Sequence, residues 1–389
     1  MKRIFTFLLI AAFCFSSCTG DKPGIPDPGT GETEQTLLIY MPWSSNLTSY
    51  FLNNLKDFES AIERGILGNN KVLVFFMSSP SEAELFEFEY SKGECTRGVR
   101  KNYKDPAFTT AEGITSILND VKTFAPAERY SLIVSCHGMG WLPVYPSTPR
   151  TFSDKAHWEY EGVPLTRFFG GLTSEYQTDI TTLAEGISGA GIKMEYILFD
   201  DCYMSCVEVA YDLKEVTNYL IGCPTEIMAH GMPYDIIADY LVGKADYANI
   251  CNGFVTFYRN YSRMPCGTIG VTDCSQIDQL AAVMKEINRS FIFDPSLEED
   301  VQRMCGYRPT IFFDYGDYIS KLCRDAVLLE KFRRQLVKTV PYKANTDTYY
   351  SMSGGRVPIG TFSGVTVSDL SSHTRAEDKT ETAWYKATH

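Results

Sequence analysis

The chain has 389 residues, 44% apolar and 22% charged, which is the profile of a folded globular protein and excludes a disordered or collagen-like one. Its 36 Lys and Arg are outnumbered by 48 Asp and Glu, so the formal net charge is −12. That balance argues against nucleic acid as a partner, because phosphate contacts need a cationic surface.

A targeting segment opens the chain. Lys2 and Arg3 precede an apolar run from Ile4 to Phe15, too short for a bilayer span and typical of a signal peptide over residues 1–17. The run ends in Phe15-Ser16-Ser17-Cys18, which resembles the bacterial lipobox and makes Cys18 the expected lipidation site. Residues 18–35 are rich in Gly, Pro and acid and read as a flexible tether behind that lipid anchor. The expectation is an exported protein on the cell envelope, at the outer membrane, touching lipid through the anchor only. Of the twelve cysteines, Cys14 and Cys18 belong to this segment. The other ten form no CxxC pair, which disfavours structural zinc, and their spacing names no disulfides.

The body alternates strand and helix patterns. Thr36–Met41 and Lys71–Met77 are continuous apolar runs suited to strands buried on both faces, with an amphipathic helix over Ser49–Arg64 between them. Leu85–Tyr90 alternates as a more exposed strand; Thr110–Phe124 is an amphipathic helix, and Tyr130–Ser135 another central strand. A polar, aromatic insertion spans about 142–180. Helix 181–189 then leads to strand Met194–Phe199, a helix over Met204–Glu215 and strand Tyr219–Gly222. Such alternation implies an α/β fold with a mostly parallel sheet covered on both faces. After about 234 the pattern changes, with helices near 234–260 and 275–290, a strand at Thr268–Val271 and β segments around 340–370. The reading is a core over 36–233 and a C-terminal α/β extension or subdomain over 234–389.

Functional groups in an open α/β sheet gather beyond the carboxyl ends of central strands. Two ends stand out. One runs Tyr130–Ser135 into Cys136-His137-Gly138-Met139-Gly140-Trp141; the other runs Met194–Phe199 into Asp200-Asp201-Cys202-Tyr203-Met204. With a helix expected directly after it, Cys202 sits near a helix N-terminus that favours the thiolate. On neighbouring strands, His137 and Cys202 can face one scissile bond as a dyad, with the Gly138 and Cys202 amides as oxyanion donors.

These two stretches, with the helix pattern Val207–Leu213, resemble the clostripain family of cysteine peptidases, in the caspase, gingipain and legumain clan. The likeness runs from about 36 to 388. It implies a caspase-like α/β/α sandwich and an endopeptidase that cuts peptide or protein substrates after Arg or Lys. It also implies that Asp200 lies in the pocket for that basic side chain. Glu226, after the next strand, is a second candidate for the pocket wall. Family members are often clipped between the His and Cys segments, which makes Arg150, Lys155 and Arg167 candidate processing sites. No EF-hand pattern is present and no metal ligands are assigned; Ca2+ enters by family analogy alone. His230 reads as structural, and His157 and His373 carry no assigned role. The chain departs from the family pattern in Asp201, where Ala is usual before the nucleophile, and in Tyr203 after it. Those departures leave an alternative, a surface lipoprotein that keeps the fold as a binding module with weak or lost peptidase activity.

Overall fold

The computed structural model describes residues 33–144, 170–171 and 173–389. The expected signal peptide, Cys18, most of the expected tether, His157, and Arg150, Lys155 and Arg167 lie outside the described residues.

Strand β1 (Gln35–Met41) is buried at every position, and α1 (Thr48–Glu63) carries the chain to its parallel neighbour β2 (Lys71–Ser79). β2 turns into an antiparallel meander of β3 (Glu82–Ser91) and β4 (Glu94–Lys104). Helix α2 (Ala111–Phe124), capped by the Thr110 hydroxyl on Gly113 N–H, returns the chain to β5 (Arg129–Val134) on the other side of β1. Next come α3 (Ile180–Gly189), β6 (Met194–Phe199), α4 (Val207–Leu213) and β7 (Thr217–Gly222), each strand parallel to the one before. They are followed by α5 (Tyr234–Ile237), α6 (Tyr247–Asn260), β8 (Thr268–Asp273) and α7 (Ile277–Ser290). The rest comprises β9 (Phe313–Asp314), α8 (Tyr315–Leu322), α9 (Ala326–Thr339), β10 (Tyr342–Asn345), the hairpin β11 (Thr348–Ser351) and β12 (Gly355–Pro358), β13 (Thr366–Val367) and α10 (Ala383–Thr388).

Among the described residues nine strands form one sheet, in the order β10-β8-β7-β6-β5-β1-β2-β3-β4. The five middle strands are parallel; both flanks are antiparallel. Helices α1, α5 and α6 pack on one another, while α2, α3, α4, α10, α7 and α9 form a second run of contacts. Right-handed crossovers that grow in opposite directions from β1 put these two sets on opposite faces. The result is an α/β/α sandwich. Its centre is dry: Leu37–Ile39, Val72–Phe75, Leu132–Val134 and Ile197–Phe199 are all at most 2% exposed. Each such aliphatic side chain taken from water contributes about 1.5–3 kcal/mol, and unbroken apolar runs are what two-sided burial requires.

Strands β8 and β10 join this sheet beside β7. Two differences from the sequence reading have physical causes. Strand β4 lies on the sheet edge, and its charged residues pair with neighbours, as Arg97 does with Glu59 at 2.5 Å and Lys101 with Asp120 at 2.6 Å. An edge strand built this way carries little apolar signal. The helix expected from Met204 begins only at Val207, because Tyr203 turns into the left-handed region at φ +63° and Cys206 is still extended.

Candidate active site

Parallel pairing aligns Val134 of β5 with Phe199 of β6, so residues 135–138 and 200–203 leave the same edge of the sheet side by side. The Asp200 amide donates to Val134 O at 2.8 Å and continues the ladder one step past β6. Brought together in this way, the His and Cys segments touch. A Cβ on Gly138 would fall 2.3 Å from Cys202 O, 2.8 Å from Cys202 N and 2.7 Å from Asp201 Cβ. Only glycine permits that approach.

His137 is fully buried, and its Nε2 lies 2.8 Å from Asn46 Oδ1. With an amide oxygen facing it, Nε2 carries the proton, which assigns the basic lone pair to Nδ1. Asn46 lies in a short 3-10 turn after β1, 91 residues upstream. The neighbouring Cys136 amide donates to Asp201 Oδ1 at 2.6 Å. Asp201 therefore turns toward the β5 end, and its charge is the smallest of the causes that raise the pKa of the neighbouring thiol.

Cys202 is also fully buried, and its Sγ accepts the Ile227 N–H at 3.3 Å, with Ile227 O 3.8 Å away. Burial raises its pKa well above the ordinary thiol value; Glu226 adds to the rise, and the Ile227 N–H opposes it. The helix dipole invoked from sequence is not available, since α4 starts five residues later. Tyr203 donates from its backbone to Thr225 O at 3.1 Å and from its hydroxyl to Glu226 Oε1 at 2.7 Å. Among the described residues, no backbone hydrogen bond is donated by the Gly138 or Cys202 amide, and the two residues' backbones lie in close contact.

The other candidates fall as follows. Asp200 is fully buried and accepts Met232 N–H at 2.8 Å, Tyr234 OH at 3.0 Å and Ser135 OH at 3.3 Å. It therefore braces the 232–234 segment against the β5 end and caps no helix. Glu226 is 9% exposed, next to Ile227 and the thiol, and accepts hydrogen bonds from Tyr203, from the Ser351 hydroxyl and from Met352 N–H at 3.1 Å. It ties the turn after β11 to the site. His230 stacks on Phe257 at 4.8 Å, and His373 Nδ1 accepts Arg375 N–H. Asn46 stands in Tyr40-Met41…Asn46-Leu47, a stretch with weaker family likeness that gave it no role. Its contact with His137, the Ile227 contact and the Ser351–Met352 contact were missed, because each joins elements remote in sequence.

All ten cysteines among the described residues are free, and nine are buried as small core side chains. Among those residues no cluster of three or more His, Cys, Asp or Glu is arranged to hold a metal ion, and no helix is long and apolar enough to cross a membrane.

This arrangement, a buried thiol and an oriented imidazole on adjacent strand ends whose backbones touch at Gly138 and Cys202, suits acyl transfer through a thioester. No curated protein sequence matches the chain. The sequence profile of the clostripain family matches residues 39–324. A secreted C11 cysteine protease from Bacteroides thetaiotaomicron, "iotapain", is 58% identical in structure-based comparison, with TM-score 0.85 over 92% of this chain and 100% of that one. A clostripain from B. thetaiotaomicron ATCC 29148, in complex with the peptide inhibitor BTN-VLTK-AOMK, is 64% identical, with TM-score 0.56 over 57% of this chain and 99% of that one. An inactive zymogen C11 protease from Parabacteroides distasonis is 28% identical, with TM-score 0.74 over 92% and 99%. The profile covers most of the chain and iotapain aligns along nearly all of it, so the chain belongs to the clostripain family of cysteine peptidases.

Proposed function

We propose that this peptidase is an exported endopeptidase that cleaves after Arg or Lys through a dyad of Cys202 and His137. The observation that supports the reading is the seating of Gly138, next to His137, against the backbone of Asp201 and Cys202. In the reaction, the Cys202 thiol loses its proton to His137 Nδ1 and attacks the scissile carbonyl. The Gly138 and Cys202 amides hold the oxyanion, and the imidazolium protonates the leaving amine. A water deprotonated by His137 then hydrolyses the thioester and frees Cys202.

Basic specificity follows from Asp200 and Glu226, two buried carboxyl groups held close to the nucleophile's loop. The 64% identical clostripain is described with an inhibitor whose peptide part, VLTK, ends in lysine, which agrees with that assignment. The covered, protonated thiol supports a latent form that needs processing, at Arg150, Lys155 or Arg167, and a relative is described as an inactive zymogen. Export is supported by the signal-like N-terminus and by the 58% identical relative, which is described as secreted; lipid attachment at Cys18 belongs to the same proposal.

The test uses pairs of peptides that differ only in the residue before the scissile bond. Asp200→Ala should lower kcat/KM on Arg and Lys peptides by about 30-fold or more relative to a neutral partner, the loss typical of one half of a buried charge pair. Glu226→Ala should act in the same direction and less strongly. Equal losses on both peptides would confine Asp200 to bracing the 232–234 segment.

A further inference from the structure

We infer that Asp201 and Tyr203, the residues on either side of the nucleophile, form a two-sided clamp that positions Cys202 by tying its loop to the β5 end through Asp201 and to the β7 end through Tyr203. The inference rests on the reading of Cys202 as nucleophile. It concerns the two positions at which this chain departs from the family pattern, and it gives both departures a task.

On one side, Asp201 is fully buried, and its Oδ1 accepts the Cys136 N–H at 2.6 Å while Oδ2 lies 3.6 Å from the Cys136 thiol. Cys136 immediately precedes His137, so this charge-assisted bond couples the backbone that carries the base to the backbone that carries the nucleophile. Alanine at 201 would accept no such bond.

On the other side, Tyr203 holds φ +63°, a conformation that bulky L-residues rarely adopt. Such a turn persists only where its surroundings over-determine it. Here they do. The backbone N–H is on Thr225 O, the hydroxyl is on Glu226, and the ring stacks on Phe312 at 4.8 Å and 16° with 1% of the side chain exposed. Because the turn directly follows Cys202, it sets the plane of the Cys202–Tyr203 peptide, whose carbonyl packs against Gly138. Relaxing it would swing the Cys202 amide and thiol together, and small misplacements at a reacting centre are costly.

The experiment compares steady-state cleavage of a lysine peptide by processed enzyme carrying Asp201→Ala, Asp201→Asn, Tyr203→Phe or Cys202→Ala, with a melting temperature for each. Positioning predicts that Asp201→Ala lowers kcat about 10- to 100-fold with KM nearly unchanged. Asp201→Asn, whose amide oxygen still accepts from Cys136, recovers most of that loss. Tyr203→Phe keeps the stack, loses the Glu226 bond and lowers kcat about 3- to 10-fold. A residue that only supports the fold would move the melting temperature and leave kcat in place. Wild-type kcat in Asp201→Ala and Tyr203→Phe, an effect confined to KM, or an Asp201→Asn as slow as Asp201→Ala would each overturn the clamp. If Asp201→Ala fails to fold, Tyr203→Phe decides by the same criterion. Turnover that survives in Cys202→Ala would instead overturn the nucleophile assignment, a separate result.

Discussion

The two strand ends that make the site are built differently. At the β6 end, the side chains of Asp200, Asp201, Cys202 and Tyr203 are all buried: Asp200 holds the 232–234 segment, Asp201 holds Cys136, and Cys202 and Tyr203 both meet the 225–227 segment. At the β5 end, the chemistry falls to a ring that Asn46 orients and to a glycine whose lack of a side chain permits close approach. The difference teaches where each half is vulnerable. The nucleophile's loop is held through its side chains, so its weak points are Asp201 and Tyr203. The base's loop carries the Asn46 contact that orients the ring and the close approach of Gly138 to Cys202.

Substitutions in the β5 end test this contrast most severely. His137→Ala removes the proton carrier and should lower kcat/KM about 10²- to 10⁴-fold, the range for a general acid and base. Since the two groups act as one unit, the double variant with Cys202→Ala should be no worse than the poorer single one. Additive losses in the double variant would show that the two do not act together.

Gly138→Ala comes next. Its Cβ would meet Cys202 backbone atoms at 2.3 and 2.8 Å, so the two segments must part and the oxyanion donors separate. A loss of about 10²-fold in kcat, at unchanged melting behaviour within a few degrees, is the expected outcome. Near-normal turnover would mean that the segments are not packed at this contact during catalysis.

Asn46→Ala frees the ring of its 2.8 Å partner and should cost about tenfold in kcat. It should also move the acid limb of the pH–rate profile down, because an imidazole that loses an acceptor for its N–H holds its second proton less tightly. An unchanged profile would assign Asn46 to packing alone.

The smallest effect lies away from the site, where α4 meets the C-terminal tail. Burial, with Asp369 beside it, pushes the Glu208 carboxyl up to about 8 from 4.5. Asp369 is pushed up to about 7, by burial opposed by Lys379. A carboxyl that keeps its proton in the folded state and loses it in the unfolded one favours folding most below its unfolded value. That contribution is lost as pH rises from 4.5 through about 8. Melting temperature should thus fall between pH 5 and 8 more steeply in the wild type than in Glu208→Gln. Parallel curves would show that the pair does not titrate in this range.

Much of this architecture was legible in the chain. TLLIYM, KVLVFFM and YSLIVS read as doubly buried strands because parallel pairing leaves no wet face to interrupt the apolar run. His137-Gly138 and Asp200–Tyr203 were legible because a strand ends just before each. Strand β4 was not, since its polarity is that of an edge, and α9 was not read because only Phe332, Leu336 and Thr339 of its 14 residues are buried. The delayed start of α4 was illegible for another reason: nothing in Asp201-Cys202-Tyr203 announces a left-handed tyrosine, which tertiary contacts to Thr225, Glu226 and Phe312 impose. Asn46 belongs with these, a local turn residue whose partner is 91 positions away.

The central claim is that, among the ten free cysteines of the described residues, one thiol is the nucleophile. It is tested most directly by treating processed enzyme with an electrophilic peptide ending in lysine and mapping the adduct by mass spectrometry. The account predicts a single adduct on Cys202, formed in step with loss of activity and absent from Cys202→Ala and strongly slowed in His137→Ala. An adduct on Cys136 or any other cysteine that tracks inactivation, or labelling that persists in Cys202→Ala, would contradict it.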